Sequence, residues 1–536
     1  MIDLSRPTSG LAMAYSTDLK HYGTFEKDIP TYPEFGNIYE GDYYEKLPFE
    51  EYIDSRAAVP TGKNIFAIRD YGAVADNDML NTAAIMMAIE DCRKAGGGTV
   101  LVEGGRYRTG SVWLCDNMTL HIAGDSALVG SKNCSRYDKA LIIAKEVTNI
   151  RITGGGKICG NGEWFVYEPK QKPLLDPLVV SHLALRGTSI PDLPDYALRY
   201  HYRQRIRYAV DKYEEGLPDI PRPEFLVWIN KARNVTIENI ILEDAFAWTL
   251  NLDTSDNIVV RNIVINNNRH VANTDGIDIT GSNHVEIDHC FISTADDGIV
   301  TKNPEHTGRS MSDLYIHDCT VLTVMNSFKI GTETRYDISD IVVENCDFCL
   351  PDIYPGTVSG ISIESADGSH ISNVTVRNIR MNKVTCPLFI CLNMRNRYGV
   401  PYSDNTESAF WGGSIDNIVI EQIMATEAEV PSLIFGFINE KKDGAVVRKP
   451  VTNIAVRDFN VTYKDNKEIV NVPDVIEEYL FQYPENNTFG DVDAYGIWIR
   501  HAEKITLEDI QIIPRSMNTR SCIQMYDVDS PTGKPG

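Results

Sequence analysis

Val235-Thr236-Ile237-Glu238-Asn239-Ile240 is one copy of a hexapeptide, apolar-x-apolar-polar-polar-apolar, and its recurrence decides the fold. Further copies occupy residues 258–263, 285–290, 314–319, 341–346, 374–379, 418–423, 454–459 and 505–510. The last residues of successive copies are separated by 23, 27, 29, 27, 33, 44, 36 and 51 positions. Alternating β-branched residues read as strands with one set of side chains facing inward. A period in the twenties, with Asn or Asp before most copies, reads as one coil of a solenoid per repeat: a parallel β-helix, all-β in class. The Asn and Cys at the fifth and sixth positions are expected to stack as inward ladders at a bend. The wider spacings toward the C-terminus predict coils with inserted loops.

Upstream of the repeats, residues 66–73 (Phe-Ala-Ile-Arg-Asp-Tyr-Gly-Ala) read as a first strand. Residues 81–94 have helical periodicity through Ala84, Met87, Ala88 and Cys92, ended by Gly96-Gly97-Gly98. Such a helix would cap the open end of the solenoid and block edge-to-edge pairing. Residues 1–60, rich in Tyr, Pro and acids, read as an irregular N-terminal extension, and 61–536 as the β-helix domain. An insertion at about 160–222 interrupts the repeats. Within it, residues 196–213 read as a helix bearing Arg199, Arg203, Arg205 and Arg207. Three readings stay open for it: a solvated surface helix, a basic wall of a substrate cleft, or a contact with a second copy in a homo-oligomer.

At 536 residues, a length prior of three or four domains yields to the solenoid, in which each coil needs only its neighbours. The net charge of −24 argues against nucleic acid as a partner. An anionic substrate would need a local basic patch to overcome that field. No apolar run approaches the length of a membrane span, so no membrane partner is expected. The N-terminus lacks a basic start followed by an apolar core, which predicts a cytoplasmic protein, or a secreted one if a leader has been trimmed. Eleven cysteines without paired-ligand spacing read as buried free thiols, and neither a metal nor a cofactor is expected.

The chemistry concentrates in three stretches: Asn273-Thr274-Asp275-Gly276, Asp296-Asp297-Gly298, and residues 326–333 (Asn-Ser-Phe-Lys-Ile-Gly-Thr-Glu). Asp275 and Asp296 are 21 residues apart, about one repeat, so stacked coils would bring their carboxylates together. Two adjacent aspartates cannot both project from one face of an ideal strand, so a bend is expected at Asp296 and Asp297, permitted by Gly298. Clustered carboxylates split their proton affinities and can supply both a general acid and a base for water, as glycosidic hydrolysis requires. Taken singly, each stretch reads as a turn or a calcium-binding loop; together they favour catalysis.

These residues resemble the signature of glycoside hydrolase family 28, the polygalacturonase family. Residues 66–73, Gly97-Gly98-Thr99-Val100, Gly105-Arg106-Tyr107-Arg108-Thr109-Gly110, Arg222-Pro223, Trp248-Thr249 and Ile330-Gly331-Thr332-Glu333 carry the likeness further. It covers roughly residues 65–160 and 220–425. The resemblance implies a right-handed parallel β-helix and hydrolysis with inversion. It also implies Asp296 as general acid, with Asp275 and Asp297 positioning and deprotonating the water, and Lys302 and Asn273 at the substrate.

The chain departs from that family at two places. Asn326 or Ser327 stands where the family carries His, and Ser362-Ile363-Glu364 stands where it carries Arg-Ile-Lys to hold a galacturonate carboxylate. Lys329, Arg395 and Arg397 are the replacement cations, and Glu333 and Glu364 candidate acids at the same place; all five, with Asn326, are expected to meet substrate. The expected function is hydrolysis of a pectin-related oligosaccharide of galacturonic-acid or rhamnogalacturonan type. The alternatives are a hydrolase of a non-pectic glycan on the same scaffold, a polysaccharide lyase, and a non-catalytic carbohydrate-binding solenoid.

Overall fold

The computed structural model describes residues 49–165 and 222–531, apart from 268–270, 272, 350–356, 396, 399–412, 441–443, 445, 465–471, 473–475, 479, 487–489, 516–518 and 530. The basic helix expected at 196–213, nearly all of the expected insertion, and most of the expected N-terminal extension lie outside the described residues. The chain forms the parallel β-helix that its repeats predict, and the described residues fall into two compact units. One comprises 49–165, 222–278 and 284–296; the other comprises 279–283 and 297–531.

In the first unit the coils stack in register. Phe66 pairs with Val100, Val100 with Leu120, Leu120 with Ile152, Ile152 with Ile237, and Ile237 with Val260. All but Phe66 are buried, and burying a side chain of this size contributes roughly 1.5–3 kcal/mol. The helix Thr82–Lys94 packs on the strands Ile65–Ala67, Gly98–Val102 and Val112–Trp113, where a cap for the first coils was expected. Its buried stripe is Ala84, Ile85, Ala88, Ile89 and Cys92. Met87 lies off this stripe and is 51% exposed, so it is not part of the apolar face read from the sequence.

The second unit repeats the pattern: Ile316 pairs with Val343, then Val376, Ile420, Val456 and Leu507 follow coil by coil. The hexapeptide's fifth residue takes a left-handed backbone in every copy, with φ of 48° at Asn239, 49° at Asn262, 59° at Asn345 and 52° at Asn378. Asn and Asp tolerate that conformation because their short polar side chains bond locally, and this is what turns the chain at the coil's corner. The Asn side chains point outward rather than forming an inward ladder. Asn378 Nδ2 donates to Asn345 Oδ1 at 2.7 Å on the surface. The inward ladder is made by the sixth residue alone, as with the buried Cys319 and Cys346.

A second layer covers the outer face of one sheet in this unit. The strands Asn326–Thr334, Thr357–Ser365, Val384–Leu392, Ser432–Phe435 and Ala494–Ile513 place Lys329, Ser362, Phe389, Leu433 and Trp498 side by side, facing away from the coil interior. All five are buried. Residues 476–478 and 480–486 lie over them, tied down by Leu480 O accepting from Met394 N at 2.8 Å, Gln482 O from Asn393 Nδ2 at 3.0 Å and Ile476 O from Arg500 Nη1 at 2.7 Å. This segment belongs to the widest gap between hexapeptides, the 51-residue spacing after Phe459.

Candidate active site

In the first unit, Asn273 sits at φ 58°, in an irregular stretch that precedes the strand at Ile277. The left-handed backbone turns its amide between two partners: Arg222 Nη2 donates to its Oδ1 at 3.1 Å, and its Nδ2 donates to Asp296 Oδ2 at 3.3 Å. Arg222 is itself buried and anchored on Phe246 O at 2.6 Å. Asp275 is buried, and Thr249 N donates to its backbone carbonyl at 2.9 Å. Carboxylate oxygens of Asp275 and Asp296 lie within 4.8 Å of each other. Asp296 is the more exposed of the two. The stacking expected from the 21-residue spacing thus brings Asn273, Asp275 and Asp296 together.

Asp296 and Asp297 fall in the irregular stretch 295–298 between two strands, the bend that adjacent aspartates require. Gly298 serves this place through close packing: a Cβ there would lie 2.3 Å from Val321 Cγ1 and 2.7 Å from Ser327 O. The side chain of Asp297 belongs to the second unit. Its Oδ1 accepts from Asn326 N at 3.2 Å and from Asn326 Nδ2 at 2.8 Å, and its Oδ2 lies 3.3 Å from Lys329 Nζ. Asn326 Oδ1 and Ser327 Oγ, at the position of the family's histidine, are buried and make no hydrogen bond.

Lys329 is 1% exposed. Its ammonium donates to Tyr483 OH at 3.2 Å and lies 3.8 Å from Glu364 Oε1. Burial by itself lowers the proton affinity of this lysine, yet Asp297 and Glu364 outweigh it and hold the group well above the ordinary lysine value. Glu364 accepts from Ser362 Oγ at 2.6 Å and from Thr332 Oγ1 at 3.0 Å. Burial pushes its carboxyl up to about 7, against the opposing pull of Lys329 and the Ser362 hydroxyl. Gly331 permits this contact: its φ is +128°, and a Cβ would stand 2.9 Å from Glu364 Cβ.

Glu333, two residues further along the same strand, is equally enclosed but paired with Arg397. Burial raises its proton affinity, while Arg397, Lys302 and Arg395 overcome this and hold its carboxyl below the usual value. Arg395 donates to Asp367 and, through Nη2, to Thr332 O at 3.1 Å, and its guanidinium lies 5.7 Å from the Tyr483 ring centre. Arg397 N donates to Asp367 Oδ1 at 2.9 Å. Lys302 is buried beside this group.

All the sequence-predicted residues of the second unit therefore converge, but the replacement cations face protein acids: Lys329 faces Asp297 and Glu364, Arg395 faces Asp367, and Arg397 faces Glu333. Sequence reasoning did not single out Asp367, Tyr483 or Glu485 for this site, nor assign a role to Arg222. Asp367-Gly368 reads as an ordinary turn. Tyr483 and Glu485 lie in a loop with no repeat to align it, flagged only by the long spacing.

The profile of the family described as Glycosyl hydrolases family 28 matches residues 215–478. A Vitis vinifera protein named "Probable polygalacturonase" is 23% identical over 397 residues, covering 68% of this chain and 70% of that one. The "Exo-poly-alpha-D-galacturonosidase" of Dickeya chrysanthemi is 24% identical over 420 residues, covering 71% of this chain and 61% of its own length. The solved structure of a hyperthermoactive exopolygalacturonase from Thermotoga maritima superposes with a TM-score of 0.59 at 18% identity, covering 87% of this chain and 95% of that one. Profile, relatives and fold agree with the carboxylate signature, and the chain is a divergent member of glycosyl hydrolase family 28.

Proposed function

We propose that this glycoside hydrolase cleaves a pectin-related oligosaccharide, of galacturonate or rhamnogalacturonan type, by a single displacement with inversion. Asp296 protonates the leaving oxygen; Asp275 and Asp297, the latter adjacent to Asp296 in the chain, orient and deprotonate the attacking water. The observation that carries this reading is the pairing of Asp296, the accessible carboxylate, with the buried Asp275, braced by Asn273. An acid must reach the glycosidic oxygen, whereas a base can act from a recess through the water it holds. The closest oxygens of the pair are nearer than the roughly 6.5–9.5 Å that usually separates the carboxyl groups of an inverting enzyme. The water is therefore placed beside the pair, not between its members.

The test is Asp296→Asn assayed on oligogalacturonides and rhamnogalacturonan oligosaccharides. Turnover should fall by about 10²–10⁴-fold, the usual contribution of a general acid. Undiminished turnover would remove Asp296 from the mechanism, and absence of turnover in the unaltered protein on both substrate classes would favour a binding solenoid. Proton NMR of the first product should show the inverted anomer; an unsaturated product absorbing in the ultraviolet would indicate a lyase instead.

A second reading concerns the sugar in the cleavage subsite. Ser362 and Glu364 stand where the family's carboxylate-binding cations would be, and Lys329 faces two protein carboxylates. These observations favour a neutral sugar there, as at a rhamnose of rhamnogalacturonan. Comparing rates on pectic oligosaccharides with and without a uronate at that position separates the two.

A further inference from the structure

We propose that Lys329 is a positioning residue for the Asp297 carboxylate, held in place by Glu364 beneath the ring of Tyr483. This rests on the reading of Asp297 as one of the catalytic carboxylates. The register of the sheet supplies the first argument. Lys329 pairs with Val300 on one side and Ser362 on the other, so its side chain leaves the coil interior on the face where Glu364 also stands. Residues 480–486 cover that face, and the Lys329 side chain is enclosed at 1% exposure. A cation so enclosed does not reach a sugar in solution; it acts on the groups that enclose it.

Those groups are arranged around one carboxylate. Asp297 accepts from the backbone N and the side-chain Nδ2 of Asn326 on one oxygen, and faces Lys329 Nζ with the other. These three contacts come from donors, as a carboxylate accepts. Asn326 and Lys329 lie on one strand, three residues apart, so a single element holds both oxygens of Asp297. A positioned base gains rate from such restraint, and a displacement of about 1 Å can cost on the order of a hundredfold.

An ammonium buried beside a single carboxylate could follow it as it moves; Lys329 has a second anchor. The titratable and charged groups facing it are Asp297 from the bend before the strand Ile299–Asn303, Glu364 from the strand Thr357–Ser365, and Tyr483 and Glu485 from the covering segment. Arg395 also lies against the Tyr483 ring, 5.7 Å from its centre. Glu364 is fixed in turn by Ser362 and Thr332 hydroxyls. Lys329 is therefore suspended between a carboxylate that works and a carboxylate that does not, and the second opposes its drift toward the first.

The experiment compares the pH profiles of kcat and kcat/KM for Lys329→Met, Glu364→Gln and the double variant, with Asp297→Asn as control, on whichever pectic oligosaccharide the unaltered enzyme hydrolyses. Lys329→Met should lower kcat by about ten- to a hundredfold with KM changed less than threefold, as expected for an effect on positioning. Its acidic limb should move to higher pH, because no cation then opposes protonation of the carboxylate. Glu364→Gln should move the same limb to lower pH, since it removes a competitor for the ammonium. A merely structural role does not give opposite signs. If Lys329→Met does not fold, the double variant, which does not leave Glu364 as a second buried acid without its cation, should still show the upward shift. An unchanged limb and kcat in Lys329→Met, with Asp297→Asn inactive, overturns the inference. A raised KM at constant kcat also overturns it, making Lys329 a substrate ligand. Full activity in Asp297→Asn instead overturns the catalytic reading on which the inference rests.

Discussion

Glu333 and Glu364 are two buried carboxylates on adjacent strands of one sheet, and they sit on opposite sides of the ordinary glutamate value. Glu333 is held below it and Glu364 is pushed up to about 7. Burial is nearly the same, 5% and 0% exposed. What differs is the surroundings. Glu333 feels Arg397, Lys302 and Arg395, whereas Glu364 shares one cation, Lys329, with Asp297 and also feels Glu485. Desolvation penalises both ions alike, so the number of cations per acid decides which remains charged. The Glu333 region is a structural ion cluster; the Glu364 region is a set of acids competing for one ammonium.

The sharpest way to break the comparison is Arg397→Met. It leaves Glu333 buried without its nearest cation and should cost about 3–5 kcal/mol at neutral pH, read as a loss in urea-denaturation midpoint. If the cost is under about 1 kcal/mol, in the range of an exposed ion pair, the cluster is not a buried one and the contrast fails.

The next effect is a difference in sign with pH. For Glu333 the folded-state affinity for the proton is lowered, so its stabilisation is present above the ordinary value of 4.5 and is lost as pH falls below that. For Glu364 it is raised, so the folded state keeps a proton that the unfolded chain releases. That stabilisation is complete below 4.5 and is lost as pH rises toward about 7. Glu364→Gln should remove the decline between 4.5 and 7 while leaving the acid side unchanged. Glu333→Gln should flatten the acid side alone. Thermal unfolding measured across pH 3–8, a range of about five units bracketing both windows, shows whether the two slopes separate in this way.

The smallest effect belongs to Ser362→Ala. The Ser362 hydroxyl favours the ionised form of Glu364, so its removal should move the Glu364 transition to higher pH, with a stability change of about 1 kcal/mol or less. A transition that moves to lower pH would place the hydroxyl as an acceptor and reverse its assigned role.

Particular residues show how much of this was legible in advance. The column Ile316, Val343, Val376, Ile420, Val456 and Leu507 follows from alternation within each hexapeptide, because a strand has no other way to bury every second side chain. The approach of Asp275 to Asp296 follows from a spacing close to one coil. The orientation of the fifth-position Asn did not follow: a polar residue at a bend is compatible with either face, and only the left-handed backbone at that corner turns it outward. Met87 was misplaced by half a turn because Ile85 and Ile89 complete the helix stripe more closely.

Sequence alone determined the solenoid, its register, the capping helix and the pairing of the first two carboxylates. Each of these depends on local periodicity or on separations of one repeat, where chain geometry leaves few choices. Only the tertiary structure decided what Lys329, Arg395 and Arg397 touch. Their partners include Glu364 and Asp367 one coil away and Tyr483, which lies 154 residues beyond Lys329 in a loop that follows no repeat. Whether a cation faces a sugar or a protein carboxylate depends on which segment covers it, and no periodic pattern encodes that cover.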